Sequence, residues 1–228
     1  MHESLAGDLL QAKLTPHIRW VDIEGRIFII DLRRGEYFGL DKAHADAWRA
    51  LAIQTNSDQD ISGANRDHLL AAARARGWLA VSPEDHKHLP RSRRRKVSHL
   101  VHLFPPLGAL MSLVRAYASM RVFGFEKTYT WARSAAHYPT RATSDHSQLE
   151  SAKAVFLNAE RFIISRWGME DCLPRSLALF VFLRAMGFRV RHCIGIRCFP
   201  FAAHGWVESI VGHRPVAPGA FVPISIIE

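Results

Sequence analysis

Cysteine is scarce. Three residues, Cys172, Cys193 and Cys198, are spread through 228 positions, all in the C-terminal quarter. That is too few for a disulfide scaffold, and no CxxC pair is present, which excludes a zinc ribbon. Long apolar runs are missing too. The longest, Phe104 to Val114, is too short to span a bilayer and opens on Pro105-Pro106. The N-terminal residues MHESLAGDLLQAK lack the basic start and apolar centre of a signal peptide. These absences give the expectation of a cytoplasmic protein with reduced thiols and no membrane insertion. Acidic residues are outnumbered, 21 Asp+Glu against 30 Lys+Arg, for a net charge of +9. A basic chain suits an anionic or acidic partner. Much of the excess is local, however, with Arg91, Arg93, Arg94, Arg95 and Lys96 falling together. Hydrophobic residues at 48% and charged residues at 22% are ordinary globular values and exclude wholesale disorder.

The pattern changes twice along the chain. HIRWVDI and RIFIIDL read as strands joined at Gly25, and EYFGL follows the Arg33-Arg34-Gly35 turn as a third. Asp41 is placed to cap a helix over 42–53. HLLAAARARG reads as a helix stopped by Gly77, and WLAV as a short closing strand. Strands then helices in this length suggest a small winged-helix-like domain, residues 1–82. Residues 83–97 are polar, basic and proline-containing, the pattern of a linker. Residues 98–228 begin with three helical segments and end in three strands, FRVRHCIGIRCF, AHGWVESI and FVPISII. The expected class is therefore α+β.

Chemistry concentrates at two points of this second domain. Cys172 opens a helix, where unpaired backbone N–H groups and the helix dipole favour the nucleophilic thiolate. Asp171 beside it acts in the opposite sense. His204, on a strand among small residues, is of the type that takes a thiol proton and later protonates a leaving amine. The plainer reading makes Cys172 a small core residue and His204 a surface or satisfied imidazole. Cys193 and Cys198 read as strand residues in core packing. A metal site built from them and nearby histidines lacks recognised ligand spacing.

The string DCLPRSLALFVFLRAMGF, followed by AHGWVE, resembles the leader peptidase, or B protein, of lasso-peptide biosynthesis. That family has a transglutaminase-like (papain-like) fold. The resemblance runs over roughly residues 100–228. It rests on Cys172, Leu173, Arg175, Ser176, Leu177 and Ala178, then His204, Trp206, Val207 and Glu208. It implies a Cys-His-Asp triad cutting the leader–core bond of a ribosomally made precursor, with Cys172 as nucleophile and His204 as general base and acid. The third member departs from the family: beyond Asp171 the only carboxylates are Glu208 and Glu228. Aligning the Phe221-x-Pro223 ending places His213 near the family's Asp. His213 is thus the expected orienting group, with Glu208 or a backbone carbonyl as alternatives. A neutral His holds the tautomer but supplies no negative charge, so a slow enzyme is expected. Arg175 and Ser176 read as support for the Cys loop or for the substrate, in preference to plain helix-surface and core-edge packing.

The segment RIFIIDLRRGEYFGLDKAHADAWRAL resembles the PqqD-like recognition element of RiPP (ribosomally made, modified peptide) systems. That module of three strands and three helices binds leader peptides by strand addition. The resemblance implies a groove formed by Tyr37, Phe38, Leu69, Leu70 and Arg74, although strand alternation turns one of Tyr37 and Phe38 into the core. The implied partners are the precursor leader and an ATP-dependent, asparagine-synthetase-like cyclase. No cofactor and no metal are implied. Rival readings are a nucleic-acid binder, a catalytically impaired scaffold that presents the leader to the cyclase, and acyl transfer in place of hydrolysis. Against nucleic acid, the basic run falls in the linker and not on a recognition helix.

Overall fold

The computed structural model describes residues 13–53, 63–80, 103–140, 146–167, 171–210 and 221–228. The chain divides into two compact units, Met1–Arg91 and Ser92–Glu228. The linker expected over residues 83–97 lies outside the described residues.

In the first unit β2 (Ile18–Ile23), β3 (Arg26–Asp31) and β4 (Glu36–Leu40) form an antiparallel sheet in the order β2-β3-β4. β1 (Lys13–Leu14) pairs separately with β5 (Leu79–Ala80). Between them lie helices α1 (Lys42–Ile53) and α2 (Gly63–Ala75). Register explains which side chains meet. Trp20, Ile29 and Phe38 stand opposite one another, as do Ile27 and Leu40. This face packs on Trp48 of α1, on Leu69, Leu70 and Ala73 of α2, and on Trp78. Asp41 caps α1 by accepting the His44 backbone N–H at 2.9 Å, and that hydrogen bond leads the causes that lower its carboxyl pKa. Asp31 is buried at the end of β3. It accepts the Trp78 indole N–H at 3.2 Å and the Arg33 amide at 2.9 Å, which ties the β3–β4 turn to the chain leaving α2.

In the second unit α3 (Pro105–Ser134) starts on its Pro pair, where missing N–H groups cost nothing, and is kinked at Gly124. A 3-10 turn (Ala135–His137), α4 (His146–Trp167) and α5 (Cys172–Ala185) follow. The strands β6 (Val190–Arg197), β7 (Ala202–Ser209) and β8 (Val222–Ile227) form an antiparallel sheet in the order β7-β6-β8. α5 is the central element, in contact with α3, α4, β6 and β7. Its residues Leu177, Ala178, Phe180, Val181, Phe182 and Leu183 are all buried, so this helix is apolar all round and not along one stripe. The buried Arg184 closes its far end by donating to the carbonyls of Ala135, Ala136 and Tyr138. Tyr129 of α3 and Ser225 of β8 share a buried hydrogen bond of 2.7 Å. Among the described residues no helix is long and apolar enough to cross a membrane.

Candidate active site

A helix buried along its length reaches the surface at its ends, and Cys172 is the first residue of α5, half-buried. Asp171 occupies the cap position in an extended conformation with no side-chain cap hydrogen bond, so the first-turn amides are not consumed by a capping side chain. Two neighbouring helices hold this end. Tyr117 of α3 donates its phenol to the Asp171 carbonyl at 3.4 Å. Burial, reinforced by the charges of Glu160 and Asp171, raises the Tyr117 pKa and keeps the phenol a donor. The buried Glu160 of α4 pairs with the Arg175 guanidinium one turn into α5. Arg175 thus joins α5 to α4 by an ion pair.

His204 lies on β7 opposite Gly195 of β6. Its ring stacks on Trp206, with centroids 6.2 Å apart and planes 11° apart, and meets Phe221 at 5.4 Å. The Arg197 guanidinium lies over Phe221 at 5.3 Å. Gly195 makes this arrangement possible. A Cβ there would lie 2.6 Å from the Trp206 ring and 2.9 Å from the Val222 carbonyl.

The fold brings the strand of His204 to the helix start of Cys172. Gly205, the residue after His204, lies against the first turn of α5. A Cβ on it would stand 2.6 Å from Ser176 Oγ and 3.5 Å from Leu173 Cδ1. Strand alternation then points His204 away from the face that the body of α5 covers. Cys172 and His204 share no hydrogen bond among the described residues. His213 lies outside the described residues. Glu208 is engaged elsewhere: it accepts Arg191 Nε at 2.5 Å and the Cys193 thiol at 3.2 Å. Four residues along a strand separate it from His204 by about 13 Å. Burial first, then the Glu208 hydrogen bond, push the Cys193 thiol up to about 12, so it stays protonated and inert at neutral pH. Cys198 falls one residue beyond β6, in the turn and half-buried, not within a strand as expected. Among the described residues no group of three or more His, Cys, Asp or Glu could hold a metal ion.

One residue of this region was not singled out from the sequence. His192 of β6 is fully buried beneath α5, and its Nε2 lies 2.9 Å from Ser176 Oγ. Alternation along VRHCIGI places it with Ile194 and Ile196, and that spacing was the available signal.

In the first unit the residues expected to bind a leader are distributed unevenly. Tyr37 is half-buried on β4, an edge of its sheet, and Arg74 is exposed on α2. Phe38 turns inward, edge-on to Trp78 at 4.9 Å and under the Arg76 guanidinium at 4.4 Å. Leu69 and Leu70 are corrected: they are 5% and 4% exposed, in the core with Trp48 and Trp78, and line no open groove.

A family model for the transglutaminase-like superfamily matches residues 111–225, half of the chain, and includes both Cys172 and His204. No curated protein and no solved structure matches. The match takes in the central helix, β6, β7 and the first part of β8, and, covering half of the chain, it shows that the chain belongs to the transglutaminase-like superfamily.

Proposed function

We propose that this protein is the leader peptidase of a lasso-peptide (RiPP) pathway, a cysteine peptidase that hydrolyses the leader–core bond of its precursor. The observation that carries the reading is the packing of Gly205, next to His204, on the helix turn that Cys172 begins. Membership of a superfamily with Cys/His chemistry supports it. The Cys172 thiolate attacks the scissile carbonyl while His204 takes the thiol proton. Backbone N–H groups at the start of α5, that of Cys172 included, receive the oxyanion. His204 protonates the amine of the core peptide, which leaves. Water then releases the leader from the thioester. His213 orients the imidazole, and the freed amine is the group that an ATP-dependent, asparagine-synthetase-like cyclase closes into a macrolactam. Residues 1–82 act as a PqqD-like recognition element. An extended leader adds to the β4 edge near Tyr37 and Arg74, which raises its concentration at Cys172.

A second reading is favoured by two observations: Cys172 and His204 are not hydrogen-bonded, and Glu208 is tied to Arg191. It makes the protein a catalytically impaired scaffold that presents the leader to the cyclase. Incubation with precursor, followed by mass spectrometry, separates the two. The peptidase yields a leader-length fragment that Cys172→Ala abolishes without loss of leader affinity, and His213→Ala slows. Binding without any fragment supports the scaffold. A fragment formed by Cys172→Ala at the wild-type rate refutes the nucleophile assignment.

A further inference from the structure

Three elements meet beneath the first turn of α5, at groups that the peptidase mechanism leaves unused. Ser176 Oγ donates its proton to the Leu173 carbonyl at 3.0 Å. Its lone pair is then the acceptor toward His192 Nε2, 2.9 Å away, and the ring nitrogen must carry the proton. Ser176 and His192 are 5% and 0% exposed. His192 Nδ1 is buried without a hydrogen-bond partner, and the Phe180 ring lies edge-on at 6.1 Å. Such a ring has one polar contact among the described residues, and that contact fixes its tautomer and orientation. From the third side Gly205 closes on the same atoms: a Cβ there would lie 2.6 Å from Ser176 Oγ and 3.6 Å from His192 Nε2.

We infer that Ser176 and His192, with Gly205 against them, form a buried lock that positions the Cys172 turn relative to the strand of His204. The inference rests on the Cys172/His204 reading of the site. Leu173, whose carbonyl the lock holds, follows Cys172 directly, and Gly205 follows His204 directly. The lock therefore sits one residue from each reacting group and touches neither. Ser176 and His192 are positioning residues. A displacement of about 1 Å at such a site costs on the order of 100-fold in rate.

The test uses the full-length protein and iodoacetamide, with alkylation of Cys172 read by peptide mapping at pH 6. That readout separates it from Cys193 and Cys198. The charged and titratable groups around the Cys172 end of α5, Tyr117, Glu160, Asp171 and Arg175, are the same in every variant. Wild type should react at a rate that His204→Ala lowers. Ser176→Ala and His192→Leu should lower it by about tenfold or more at a temperature where each is still folded, because each removes the shared hydrogen bond. His192→Gln, whose amide can donate to Ser176 Oγ, should retain most of the wild-type rate. A general packing role for position 192 would not separate Gln from Leu in this way. If Ser176→Ala does not fold, the Leu and Gln variants make the same comparison. A His204-dependent rate that Ser176→Ala or His192→Leu leaves unchanged overturns the lock alone. A wild-type rate indifferent to His204→Ala overturns the Cys/His reading, and the lock falls with it.

Discussion

Acid should weaken the second unit through one imidazole. His192 has no exposed surface, and burial alone draws its pKa from 6.5 down to about 3. In the unfolded chain the same ring takes a proton near pH 6.5. Between these two values the unfolded state binds more protons than the folded one, so stability rises with pH across that window. Stability is complete above pH 6.5 and is lost progressively as pH falls toward 3. At pH 5 the unfolded ring is almost fully protonated while the folded ring is neutral. That costs about 1.5 pH units at 1.36 kcal/mol each, or about 2 kcal/mol. The assay is urea unfolding at pH 7.5 and pH 5.0, for wild type and for His192→Gln. Other histidines and the carboxylates titrate in both proteins and cancel in the difference. Wild type should lose about 2 kcal/mol more than the variant on acidification. Equal losses would mean that His192 is hydrated, or paired with a carboxylate, in the folded state, and the account of its burial would be wrong.

Other sites give sharper single measurements. Gly195→Ala forces a Cβ against the Trp206 ring and the Val222 carbonyl, and should lower unfolding free energy by about 1–3 kcal/mol in urea melts. Leu70→Ala removes a core side chain and should cost about 2–5 kcal/mol of stability in the first unit. Tyr37→Ala, at the sheet edge, should weaken leader binding by calorimetry while the first unit stays folded. If both variants lose leader affinity equally while folded, the binding surface includes the core side of α2 and the edge-strand reading is wrong.

How far the sequence carried depends on which residues set each element. The boundaries of α1 coincide with those read from Asp41 as cap and from the apolar spacing after it, because both signals are local. The start of α5 at Cys172 was legible for the same reason, the helix stopping short of Gly187. Leu69 and Leu70 were misplaced. HLLAAARARG is alanine-rich, and its weak amphipathic pattern does not say which face a sheet will cover. Only the β2–β3–β4 register, which brings Ile27 and Ile29 over α2, decides it. His192 was passed over because a histidine reads as polar. Its burial follows from alternation with Ile194 and Ile196, but its partner Ser176 is sixteen residues away on another element, and no sequence spacing announces that contact.

The missing carboxylate gains meaning from what surrounds His204. An Asp beside a catalytic imidazole does two things: it fixes the ring, and it stabilises the imidazolium that forms during reaction. Here the ring is fixed in part by apolar surfaces, Trp206 on one side and Phe221 on another. Aromatic faces can hold an orientation, and their quadrupoles attract a cation over the ring, but by far less than a charged partner does. Arg197, held over Phe221, adds no negative charge beside the ring. Glu208 does not supply that charge from the far end of the strand, because Arg191 already neutralises it. Orientation and charge stabilisation, combined in one residue in a triad, are thus separated among the described residues, with the first supplied and the second absent. Any peptidase built on this arrangement depends on accurate placement of Cys172 and His204. That dependence is the reason a buried lock one residue from each has functional weight and not only structural weight.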